Sequence, residues 1–143
     1  GGNNLQMIIG YLIVGILCLS ACTQKNMPID KLAMLKMAQD YDSTVKPILP
    51  KDLNSGIRCR KDNGDYVYGE GCLTGFQVQV GVLEMDAIEF QTEELAKLEA
   101  LRLDQYYYKN WVFDNVTNEP ILEHFVKNAF AAQRPKIESG KKD

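Results

Sequence analysis

Few residues in this chain could do chemistry. It holds four cysteines and one histidine in 143 residues. Glu84, Asp86 and Glu89 form an acidic cluster. On a strand, Glu84 and Asp86 face the same side about 7 Å apart, from the rise per residue. That makes them candidates for the paired carboxylates of glycan hydrolysis. Nothing in the sequence places them in a cleft, so they read as a solvated face. His124 stands beside Phe125 with no Ser/His/Asp set around it, and reads as surface. There is no His-Glu-x-x-His and no phosphate loop. Asn115-Val116-Thr117 matches the glycosylation pattern without further support. The expectation is a non-enzyme with no metal and no cofactor. The richest binding signal is Tyr106 to Trp111, with four aromatics in a six-residue stretch. As one strand it puts Tyr106 and Tyr108 on one side, Tyr107 and Trp111 on the other. Exposed aromatics beside Lys109 and Asn110 suit a partner protein or a sugar ring. Burial of both sides is the alternative.

The apolar run Leu12 to Leu19 ends in Leu19-Ser20-Ala21-Cys22. Met7 to Leu19 has the size of an export h-region, and Ser20 and Ala21 are the small residues a peptidase needs. Gly10 and Gly15 interrupt the run, which is short for a membrane span of about 20 residues. The tetrad resembles the lipobox of bacterial lipoproteins, over residues 5–22. The resemblance implies cleavage before Cys22, lipid on its thiol, and a membrane partner through that anchor. In that family an Asp after the cysteine retains the protein at the inner membrane. Thr23 stands there instead, which implies the outer membrane, periplasmic face. Two or three acyl chains hold a protein on a bilayer far more firmly than one.

An exported protein matures where paired cysteines persist as disulfides. With Cys22 lipidated, the mature chain keeps two thiols, Cys59 and Cys72, flanking the turn Asp62-Asn63-Gly64. A Cys-x12-Cys spacing with His124 far away fits neither a zinc site nor a redox pair. The expectation is a Cys59–Cys72 disulfide. The net charge of −3 comes with no basic block outside the tail, so no nucleic-acid partner is expected.

The elements that must position these residues follow in order. Residues 1–21 read as signal peptide. Residues 22–56 read as a lipidated tether, an amphipathic helix from Ile29 to Tyr41 and a Pro-rich loop. The methionines of that helix either form a partner-binding face or pack on the chain's own domain. Residues 57–133 read as the folded domain, and 134–143 as a disordered tail. Phe76, Val78, Val80 and Val82 alternate with Gln77, Gln79 and Gly81, the pattern of a strand with one buried and one wet side. Met85 to Phe90 extends it or forms another strand. Thr92 caps a helix with Glu93 and Glu94 in its first turn. Tyr106 to Phe113 reads as a strand. Pro120 opens a last helix with Ile121, Leu122, Phe125, Val126, Ala129 and Phe130 at helical spacing.

This order predicts an α+β fold: a small antiparallel sheet with helices on one face, a ferredoxin-like sandwich, after an N-terminal helix and lipid anchor. The stretch from Phe90 through the helix to Tyr106 would be a right-handed βαβ crossover. Phe76-Gln77-Val78-Gln79-Val80-Gly81 is similar to the opening strand of sporulation-related repeat (SPOR) domains. That resemblance implies peptidoglycan glycan as a possible partner. The functional expectation is a structural or assembly subunit of an envelope protein complex. Its candidate binding residues are Gln77, Gln79, Tyr106, Tyr107, Tyr108 and Trp111, because the Gln side has nothing large and apolar to bury.

Overall fold

Strict alternation over Phe76 to Val80 and the helical spacing of Leu122, Phe125, Val126 and Phe130 demand two apolar faces that meet. A computed structural model describes residues 27–52 and 55–138. The elements are α1 (Lys31–Tyr41), β1 (Lys46–Ile48), β2 (Cys72–Val80), β3 (Leu83–Phe90), α2 (Glu93–Leu103), β4 (Tyr106–Tyr108), β5 (Trp111–Asp114) and α3 (Pro120–Phe130). The signal peptide, Cys22, residues 23–26 of the tether and Ser139–Asp143 of the tail lie outside the described residues. Among the described residues no helix is long and apolar enough to cross a membrane.

The five strands form one sheet in the order β1-β2-β3-β5-β4, each pair antiparallel. The fold is therefore α+β, with a small antiparallel sheet, as the pattern of elements indicates. β3 and β4 run parallel with β5 between them, so β3-α2-β4 is a split βαβ unit. β2 and β3 turn tightly at Gly81, whose φ of 62° suits a residue without Cβ. Val82, expected on the buried side with Phe76, is 93% exposed in that turn.

Register sets the two faces. Phe76 opposes Ala87, Val78 opposes Met85, and Ala87 opposes Phe113. These side chains meet Met34 and Ala38 of α1 and Leu122, Phe125, Val126 and Phe130 of α3. On the other face Ile88, Phe90, Val112 and Tyr107 meet Ala96 and Ala100 of α2, with Tyr68 from the loop before β2. The helices thus divide, two on one face and α2 on the other. The reason lies in β3, where Met85 and Ala87 are buried on one side and Ile88 and Phe90 on the other.

α1 belongs to this core, as do Val45 and β1, so the folded unit extends N-terminal of residue 57. Its N-cap is Asp30, whose carboxylate accepts from Ala33 N at 2.8 Å; Pro28 lies outside the helix. α2 is capped by Thr92, and Glu93 and Glu94 stand in its first turn, as expected. Cys59 and Cys72 are bonded, with Cα atoms 5.7 Å apart. The chain between them is a loop with one isolated bridge, Arg60 to Tyr66. Beyond α3, Gln133 pairs with Tyr107 on the outer edge of β4, and Arg134 makes a two-pronged ion pair to Asp104 at 2.9 and 2.7 Å. The start of the tail, expected to be disordered, is therefore docked.

Candidate functional site

α2 packs mainly on β3, β4 and β5 and leaves the β2 side of its sheet face open. The β2, β3 and β5 positions beyond it carry polar side chains. Gln77 opposes Asp86, Asp86 opposes Asp114, and Gln79 opposes Glu84. Directly opposed side chains on one face have Cβ atoms about 4.5–5.5 Å apart. Gln77 and Glu84 are exposed; Gln79, Asp86 and Asp114 are half-buried. Asn115 Nδ2 donates to Asp86 Oδ2 at 2.8 Å, and the Tyr68 hydroxyl donates to Asp114 Oδ2 at 2.7 Å. Burial, and then the neighbouring Asp114 charge, push the Asp86 carboxyl above its ordinary range. Burial and the bond to Asp114 push the Tyr68 hydroxyl up as well. Next to this row, buried Glu99 accepts from Gly69 N and pairs with Arg102. The result is a hydrogen-bonded acidic surface whose groups are held in place.

The sequence cluster Glu84, Asp86 and Glu89 is not assembled here. Glu89 lies on the opposite face, where burial and Asp30 raise its carboxyl. Asp114 takes its place beside Asp86. The sequence does not signal Asp114, Tyr68 or Asn115 as neighbours of Asp86, because their proximity depends on the β3–β5 register and on a loop 18 residues back in the chain from Asp86. Gln77 and Gln79 fall on the open side, as the alternation indicates. Among the described residues no group of His, Cys, Asp or Glu is placed to hold a metal. His124 is exposed, its Nε2 lying 3.3 Å from the Tyr41 hydroxyl.

The aromatic stretch divides differently from expectation. It is two short strands joined at Lys109-Asn110, so Trp111 shares the side of Tyr106 and Tyr108, and Tyr107 faces α2. Lys109 takes a left-handed φ of 47° to make this turn. Trp111 is fully buried, edge-on to Phe76, with its Nε1 donating to Ile29 O at 2.9 Å. Tyr106 is buried and its hydroxyl donates to Glu123. Both are core residues and not part of an exposed surface. Asn110, also buried, accepts from Ile29 N at 2.8 Å and donates to Ile29 O and Phe90 O. It fastens the start of the described chain to the sheet.

Tyr107 and Tyr108 still reach a surface. With Glu93, Lys109, Ala131 and Gln133 they line a groove of about 350 Å³ at the β4–β5 turn. Compared with known proteins, the chain matches no family model, no curated protein and no solved structure.

Proposed function

We propose that this chain is a lipid-anchored protein of the cell envelope that binds a partner protein without catalysis. Cys22 carries the lipid, on the lipobox resemblance of Leu19-Ser20-Ala21-Cys22, and the outer membrane is its place, domain on the periplasmic side. One observation carries the binding reading. The Gln77–Asp86–Asp114 row is open to solvent beside Ile48 of β1, and is already ordered by Asn115 and Tyr68. A pre-ordered polar surface loses little freedom on binding. Its acidic character suits a basic or amide-rich segment of the partner.

The test is crosslinking and co-purification of the full chain from its own membrane. Wild type retrieves a defined partner. Gln77→Arg, an exposed change, removes capture and keeps the thermal melt. Unchanged capture in that variant would refute this placement. Mass spectrometry of Cys22 checks the anchor, and an unmodified thiol in the native host would overturn it. The SPOR resemblance at residues 76–81 predicts instead retention on denuded peptidoglycan. A carboxylate hydrolase predicts turnover that Asp86→Asn abolishes.

A further inference from the structure

The groove at the β4–β5 turn is separate from the open sheet face and has a chemistry of its own. Its wall is aromatic: Tyr108 is half-buried and packs on Phe130 at 6.0 Å between ring centroids. Around it stand four polar groups of different kinds. Glu93 offers only acceptors, Lys109 only donors, while Tyr108 and Gln133 offer both. Among the described residues Glu93 makes no ion pair or hydrogen bond. Lys109 is engaged only over the Tyr108 ring at 5.8 Å, and the Tyr108 hydroxyl makes no hydrogen bond. Gln133 uses only its carbonyl, accepting from Tyr107 at 3.4 Å. Glu93, Tyr108 and Lys109 are half-buried and Gln133 is exposed, and their hydrogen-bonding capacity is largely unspent. The Lys109 backbone is held in the left-handed region, where a non-glycine residue is strained. Glu93 and Lys109 cancel, so the groove is neutral and favours an uncharged ligand. Among the described residues Ala131 is its one aliphatic lining residue, which leaves no pocket there for an apolar peptide side chain.

We propose that this groove binds a neutral saccharide of one or two rings. Each sugar hydroxyl both donates and accepts, so one ligand serves the acceptor-only Glu93, the donor-only Lys109 and the Gln133 amide together. The C–H face of the ring lies on Tyr108. A volume of about 350 Å³ lies within the range of small-molecule sites and limits occupancy to one or two rings. The inference does not depend on the partner-protein reading of the sheet face.

The test uses the full chain in a detergent without a sugar headgroup. It is titrated with cellobiose and N,N′-diacetylchitobiose; glycerol and dialanine are the controls. Binding is read by calorimetry and by the NMR signals of Ala131 and the tyrosine rings. The expected result is saturable binding of at least one disaccharide in the roughly millimolar range, mapped to Ala131 and Tyr108. Tyr108→Leu keeps an apolar contact on Phe130 and weakens binding about tenfold or more, since stacking and the hydroxyl are both lost. Lys109→Gly relieves the turn, keeps the fold and weakens binding severalfold. Gln77→Arg leaves it unchanged. Three results would overturn the proposal: no disaccharide shifts the groove signals, dialanine binds there instead, or sugar shifts only the Gln77–Asp86 face. Loss of partner capture in Gln77→Arg with sugar binding intact would uphold both readings separately.

Discussion

Asn110 gives the sharpest test of how the chain is held. It is 2% exposed and makes three hydrogen bonds. Asn110→Ala removes all three, but not equally. Ile29 O keeps Trp111 Nε1 as a partner, whereas Ile29 N loses its acceptor. The unsatisfied Ile29 N costs about 2 kcal/mol, and the carbonyl bond with no substitute, to Phe90 O, about 1 kcal/mol more. The expected loss is about 3 kcal/mol, or roughly 10–20 °C in melting temperature for a domain of this size. Asn110→Asp is the stricter probe. Its carboxylate still accepts from Ile29 N, but the second oxygen faces Ile29 O and Phe90 O, which need donors. At neutral pH it should be less stable than the alanine variant. On acidification the protonated carboxyl can donate to these carbonyls, so the penalty should shrink as pH is lowered. Urea titration at neutral and acidic pH measures both variants, and amide exchange near Ile29 reports the local release. An alanine variant within about 0.5 kcal/mol of wild type would refute the reasoning, because surface-like sites fall in that range. So would an aspartate variant that is the more stable of the two at neutral pH.

Replacing Cys59 and Cys72 together by Ala should lower stability by about 3 kcal/mol, the chain-entropy value for a loop of this length, measured by urea titration. Non-reducing digestion of the wild type should yield the linked peptide pair. Trp111→Ala should cost about 3–5 kcal/mol as a buried aromatic, and Trp111 makes no surface contact of its own. A variant with normal stability and lost partner capture would contradict its place in the core. Asp86→Asn should stabilise the protein at neutral pH by less than about 1 kcal/mol, since solvent screens this half-open pair. The sign follows from the raised carboxyl. Asp86 costs stability above its folded pKa, and acidification relieves that cost. The wild type should therefore approach the variant as pH falls into the carboxylate range, and a constant difference across pH would refute this.

β2 and α3 are legible in the sequence because each buries a single face, and single-face patterns leave a clear period. Thr92 and the acids after it mark α2 for the same local reason. β1 is not legible: three residues including Pro47 inside a Pro-rich stretch carry no alternation. The Tyr106 to Phe113 run hides its turn, since Lys109 adopts a left-handed backbone with neither glycine nor asparagine at that position. The face chosen by α2 is also hidden, because β3 offers apolar residues on both sides. For the candidate site, Gln77 and Gln79 are readable from alternation, and the disulfide from the compartment that the lipobox implies. Asp114, Tyr68 and Asn110 are not, as each acquires its role from a partner distant in sequence.

Ile29 is held by three side-chain hydrogen bonds from Asn110 and Trp111, outside any strand ladder. A pull on the segment before Ile29 reaches those bonds first. They open one after another from the end, and α1 is the next element to peel. The β2–β3 ladder and the disulfide loop sit off this load path. Under tension the protein should therefore lengthen by its first helix at low force while the rest of the sheet stays folded. On the proposed lipid anchor, that compliance would work as a spring at the point of attachment.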